Sequence, residues 1–220
     1  MDKNLTKQDR IAGGFYGLLI GDALGVPYEF YEAEKLPPYE EIEMLPPAGF
    51  RKTYPKVDAG TWSDDGAQAL CLLESLLNQK GFSLEDFSDA LLSWYEDGAW
   101  AVGGDVFDVG IQTAYALRGY KNELLPEECG MLNPDGKGNG ALMRVLPLVL
   151  WHSVHGSTDK EQRTKELVED AHRQCLITHG HVCNQVCCAL YCLAAQELME
   201  GGEAADAVEA AIAALRTIYQ

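Results

Sequence analysis

Ser63, Asp64 and Asp65 stand together in the stretch GTWSDDGAQALCLLESLL, Gly60 to Leu77. A glycine-flanked loop gives way there to an apolar run of helical period. Two chemistries suit the pattern. A serine N-cap with two aspartates in the first turn satisfies the bare N–H groups and the partial positive charge of a helix start. The same hydroxyl and carboxylates also offer three hard oxygen ligands within one turn, the donors that Mg2+ or Mn2+ takes. Spacing alone favours the cap.

Other segments carry chemistry-bearing residues. In YGLLIGDALGVPYEF, Glu29 lies after a glycine and a proline at the mouth of a long loop, where a carboxylate can face a pocket. Gly17 and Gly21 of that segment read as sites of tight helix packing. In GKGNGALMRVLPLVL, Gly136, Gly138, Asn139 and Gly140 lead into an apolar helix. Free N–H groups at such a turn make a phosphate cradle, and a plain flexible loop with a helix cap fits equally well. Arg144, one turn on, reads as structural. FDVGIQTAYAL sets Asp108 before Gly110 and Thr113, and ITHGHVCNQ sets Thr178 and His179 at a helix start. A histidine there is more often a cap or packing residue than a catalyst. Cys175, His179, His181 and Cys183 are ligand types for zinc, but no C-x-x-C pair occurs. Cys183, Cys187, Cys188 and Cys192 fall at helical spacing and read as buried thiols along a helix interface.

The elements that position these residues are nearly all of period 3.6. Helices are expected over Asp9 to Leu24, from Asp64 with Leu70, Leu73, Leu76 and Leu77 on one face, and after Ser83 with Asp86 three residues on. Others are expected over Asp105 to Leu117, Ala141 to His152, Asp159 to Ile177, His181 to Glu200 and Glu203 to Tyr219. Pro27 to Pro55 holds six of the nine prolines and reads as a long, functional surface loop. With no alternating strand, repeat or linker, the chain reads as one all-α domain, residues 1–220, an orthogonal helical bundle.

Composition sets outer bounds. The 220 residues are 47% hydrophobic, enough for a packed core, and carry a formal net charge of −17. That charge argues against sequence-independent nucleic-acid binding and against anionic membrane surfaces. It leaves a nucleotide ligand open, because backbone N–H groups and metal ions hold phosphates locally. The start lacks a signal-peptide layout, the apolar stretch Phe15 to Ile20 is too short to span a bilayer, and the cysteine count of seven is odd. A soluble cytoplasmic protein is expected, with its oligomeric state open.

The order G-D-A-L-G-x-P-x-E, G-T-W-S-D-D, D-V-G, G-N-G-A-L-M-R-V-x-P and T-H, over Ile11 to Gly201, resembles the ADP-ribosylglycohydrolases. The resemblance implies an all-α fold with a binuclear Mg2+ or Mn2+ centre at the base of a cleft that takes ADP-ribose. It puts metal ligands on Ser63, Asp64 and Asp65, catalytic roles on Glu29 and Asp65, and phosphate binding on Gly138, Asn139 and Gly140. His179 and Asp108 would face the substrate. The implied activity is hydrolysis of the glycosidic bond between ADP-ribose and an acceptor, on an ADP-ribosylated protein or a small molecule.

Two departures qualify it. Gly66 stands where the family has threonine after the two aspartates. The family's second metal segment, an Asp-x-Asp followed by Thr or Ser, has no counterpart, since no D-x-D occurs in the sequence. The chain therefore reads as a C-terminally shortened member, with one metal expected and the main anchors of the second lost. Three readings follow: a hydrolase with a reduced metal site or ligands borrowed from a partner, a non-catalytic ADP-ribose binder, and an inactive fragment.

Overall fold

The computed structural model describes residues 5–220. Nine α-helices form the bundle, and no strand occurs among the described residues. They are α1 (Lys7–Gly25), α2 (Asp64–Gln79), α3 (Leu84–Asp97), α4 (Ile111–Lys121), α5 (Pro126–Cys129), α6 (Leu146–His155), α7 (Lys160–Leu176), α8 (Val182–Met199) and α9 (Ala204–Ile218). Local chemistry sets several starts. Thr6 and Asp9 form a reciprocal capping box on α1, Ser83 Oγ accepts the Asp86 N–H on α3, and Asp159 accepts the Gln162 N–H on α7.

The core lies where α2, α3, α6, α7 and α8 meet. Leu72, Leu76, Phe87, Leu91, Trp94, Leu148 and Leu167 are almost wholly enclosed there. By length and mean hydropathy α8 would qualify as a membrane span. It packs instead between α7 and α9 and against α6.

Several helices differ from expectation. Residues 105–110 are not helical: Gly103, Gly104 and Asp108 all have positive φ, and α4 starts only after Gly110. Turns fill 140–144, and α6 starts at Leu146 with Pro147 in its first turn, where a missing N–H is harmless. The short α5 has too few residues for a periodic signal. On α2 the enclosed face is Ala67, Cys71, Leu72 and Leu76. Leu77 is 59% exposed, and Leu73 and Leu77 line a groove beside α1 and α6. On α8, Cys188 and Cys192 are buried, but Cys183 and Cys187 face outward. Gly17 and Gly21 do not mark tight packing, because a Cβ at either would meet no atom within 4 Å.

The loop between α1 and α2 is well tied. The Tyr28 hydroxyl donates to Glu43 O at 2.8 Å, the Tyr31 hydroxyl to Arg51 O at 2.7 Å, and both rings pack on Phe50. Thr53 Oγ1 donates to the Glu29 carbonyl at 2.5 Å and fixes the backbone that carries the Glu29 carboxyl.

Two glycine substitutions test this packing with opposite signs. At Gly98, φ is +74° and a Cβ would lie 2.2 Å from Gly104 O. Gly98→Ala should cost on the order of 3 kcal/mol in urea unfolding. Gly17→Ala should instead stabilise by about 0.5–1 kcal/mol through helix propensity.

Candidate active site

A cleft of about 890 Å³ runs between the 26–63 loop, the start of α2, the start of α4, the 131–143 loop and the turn after α7. Glu29, Asp64, Asp65, Asp108, Gly138, Asn139, Gly140 and His179 all line it. Residues spread over 150 positions of sequence thus converge. Ser63 sits just behind, buried at the N-cap of α2.

The start of α2 is held by a residue to which sequence reasoning gave no such role. Asp22 Oδ2 accepts the N–H groups of Ser63 at 2.9 Å and Gly66 at 2.7 Å, and Oδ1 accepts the Ser63 hydroxyl at 2.8 Å. Both oxygens are therefore spent on capping α2. This explains Gly66. A Cβ there would lie 2.9 Å from the Trp62 side chain and 3.0 Å from Asp22 Oδ2, so a side chain would spoil the short N–H contact. Ser63 Oγ accepts the Asp65 N–H at 3.4 Å as the N-cap, and with Asp22 holding the Gly66 N–H the Asp64 and Asp65 carboxyls are left to line the cleft. Asp105 is exposed and outside the cleft.

The carboxylates crowd one another away from water. Burial, then the charges of Asp65, Asp108 and Asp22, pushes Asp64 up to about 8. Burial and the charges of Asp22 and Asp108 raise Asp65 to about 6. Glu29 also lies well above the usual carboxylate range, through burial and then its contact with the Asp108 carboxyl. The Tyr54 hydroxyl, which faces both, pulls the other way. Glu29 Oε2 is buried with no hydrogen-bond partner.

The other half of the cleft is backed by a buried guanidinium and carries one carboxylate, Asp135, on its lining. Arg144 is fully buried and donates to Gln68 Oε1 at 2.7 Å, Gln174 Oε1 at 3.2 Å, Gln174 O at 3.1 Å and Thr178 Oγ1 at 2.9 Å. Its guanidinium lies 5.2 Å from the Phe87 ring centre. Arg144 is structural, as expected. Thr178 Oγ1, which accepts from it, also lies 2.8 Å from His179 Nδ1 and ties the ring to the same network. Burial and then the Arg144 charge hold the His179 pKa down to about 3, so the ring stays neutral.

The glycine loop is more occupied than its sequence suggested. It leads into turns rather than directly into a helix, and the Gly138 N–H donates to Gln112 Oε1 at 2.9 Å. Gln112 Nε2 is buried without a partner and lines the cleft. Gln112 and Tyr54 escaped sequence reasoning, since neither sits in a motif. A Cβ on Gly140 would fall 2.6 Å from His179 Cε1, so glycine is required for the imidazole to lie against the loop.

The donor chemistry here fits a hard divalent cation: clustered oxygens, an orphaned carboxylate atom, and like charges that a cation would relieve. The cage is open, however. Among the described residues no three His, Cys, Asp or Glu side chains gather closely enough to enclose an ion.

Arg144→Met should leave Gln68, Gln174 and Thr178 with unpaired buried acceptors. We expect a loss of about 3 kcal/mol in denaturant unfolding, and a His179 imidazole that titrates at higher pH by NMR once the neighbouring positive charge is gone.

The sequence profile of the family described as ADP-ribosylglycohydrolase matches residues 3–220. The ADP-ribosylarginine hydrolase Tri1 of Pseudomonas putida (strain GB-1) is 34% identical over 152 residues, 68% of this chain and 38% of that protein. Tri1 of Serratia proteamaculans (strain 568) is 29% identical over 171 residues, 78% of this chain and 42% of that one. The ADP-ribosyl-[dinitrogen reductase] glycohydrolase of Rhodospirillum rubrum is 27% identical over 181 residues, 82% of this chain and 54% of that enzyme. The chain thus spans about half the length, or less, of these relatives. On the breadth of the profile match and the identity to these relatives, the chain belongs to the ADP-ribosylglycohydrolase family.

Proposed function

We propose that the cleft binds ADP-ribose linked to a protein arginine and hydrolyses the bond at the ribose anomeric carbon. The observation that carries this reading is the pairing of two unlike halves in one cleft. Buried carboxylates, one with an unpartnered oxygen, meet a glycine loop backed by a neutral histidine. The volume suits a dinucleotide-sized ligand. The arginine linkage is taken from the names of the Tri1 relatives.

On this reading His179 Nε2–H and Gln112 Nε2–H donate to diphosphate oxygens. The amides of Gly138, Asn139 and Gly140 lie close enough to help, once Gln112 exchanges its hold on Gly138. The glycosidic carbon lies toward the carboxylates. A water oxygen bonds to that carbon as the carbon–nitrogen bond breaks. Glu29, in the ionised form it takes above its raised titration range, accepts one proton of that water. The electron pair of the broken bond leaves with the guanidine nitrogen, which is then protonated from solvent. The transition state carries oxocarbenium character, and the negative charges of Asp65 and Asp108 stabilise it. Ser63, Asp64 and Asp65 are the proposed ligands of Mg2+ or Mn2+. When bound, such an ion supplies a fix on the ribose hydroxyls and a more acidic water.

The open cage favours a second reading, an ADP-ribose binder without turnover. Calorimetry and a turnover assay separate the two: both expect binding, and only the first expects release of free ADP-ribose from an arginine-modified protein.

Two measurements test the common ground. Gly140→Val drives a side chain into His179 and should weaken ADP-ribose binding at least about tenfold, with the circular dichroism spectrum unchanged. Undiminished affinity would remove the loop from the ligand site.

The second is a pH dependence. Asp64, Asp65 and Glu29 have folded values raised above their unfolded ones, so the native state holds more protons than the unfolded state between roughly pH 4 and pH 8. Their contribution to stability is complete below pH 4 and is lost as pH rises toward 8. A cation that replaces those protons should return it. Mg2+ or Mn2+ should therefore raise the melting temperature more at pH 8 than at pH 5, and Asp64→Ala should abolish that difference.

A further inference from the structure

Phe30 follows Glu29 directly and holds a left-handed backbone, φ 62°, which a bulky aromatic residue rarely adopts. Its side chain is 80% exposed and lines the cleft. Its neighbours behave differently. Tyr28 and Tyr31 both turn onto Phe50, with ring centres 5.1 and 4.9 Å away. The strained backbone keeps Phe30 out of that aromatic cluster and presents it to the cleft. Ile111, three residues after Asp108 and first in α4, is 86% exposed and lines the same cleft. Two large apolar side chains thus stand in water on the lining of the cleft that Glu29 and Asp108 also line. Strain of this kind costs about 1–3 kcal/mol and collects where a ligand is gripped.

We propose that Phe30 and Ile111 form an apolar lip that selects the acceptor, the ring of Phe30 taking the flat guanidinium and Ile111 the methylene stem. The proposal rests on the reading of the cleft given above. A guanidinium is planar, weakly hydrated and stacks on aromatic faces, and its stem is apolar. The neighbouring carboxylates add a negative field to that stack. An ammonium lacks the plane, and a serine linkage lacks plane, charge and stem. Phe30 and Ile111 are specificity residues here, and the reacting bond is left to the carboxylates.

Calorimetry on the full chain tests this, first with ADP-ribose and then with agmatine or putrescine added to the ADP-ribose-loaded protein. The two amines share a stem and differ in guanidinium against ammonium. Wild type should prefer agmatine. Phe30→Ala should lose about tenfold of that affinity, the scale of a desolvated cation–π contact. Phe30→Trp should keep it, and ADP-ribose affinity should not change. Phe30→Gly should show the same loss with a higher melting temperature, since glycine adopts the left-handed backbone without strain. Unchanged agmatine affinity in Phe30→Ala, or equal affinity of wild type for the two amines, would overturn the lip and leave the cleft reading intact. No ADP-ribose binding by wild type would overturn the cleft reading, and the lip with it.

Discussion

The buried guanidinium of Arg144 is the constraint on which the site depends. Its hydrogen bonds go to neutral oxygens rather than to a carboxylate. A charge so enclosed is tolerable only if nearly all its donors are met, and meeting four of the five obliges α2, α7 and the turn after α7 to stand in one relation. Gln68 passes the constraint to Asp64 through a 3.4 Å contact, and Thr178 passes it to His179. The carboxylate-rich half of the cleft and the glycine-loop half thereby share one internal anchor. Burial pulls the guanidinium down only to about 10, so it stays charged.

Asp22 plays the matching part on the other side. By giving both its oxygens to the first turn of α2, it does the work that Asp64 and Asp65 would do in an ordinary helix start. Those two are then left crowded and poorly solvated, a state that structural stability alone would disfavour. Their raised values mark stored repulsion, and a bound cation or a positively charged reacting centre is what relieves it.

Local features were readable from the sequence, and long-range ones were not. Ser63 as N-cap with two acidic residues behind it follows from neighbours alone, and so does the placing of Glu29 at the mouth of a proline-rich loop. The role of Asp22 hangs on a partner 41 positions away, and Arg144 meets Gln68 across 76. No pattern of period or spacing reports such pairs. Gln112 was invisible for the same reason, because its importance lies in a stranded amide opposite Gly138. Helix limits slipped where irregular backbone intervened: positive φ at Gly103, Gly104 and Asp108 delayed α4, and turns before Pro147 delayed α6. On α2 the leucines drew attention away from Ala67 and Cys71, which are enclosed as fully as Leu72 and Leu76.

The polar chain from Arg144 through Thr178 to His179 sets the two ends of the cleft apart. Burial and the Arg144 charge keep the imidazole from taking a proton anywhere near neutrality, while burial and mutual repulsion bring the titration of Asp64 and Asp65 close to it. Acidity therefore rewrites the charge of one end and leaves the other as it was, so that the two ends can be tuned by separate substitutions.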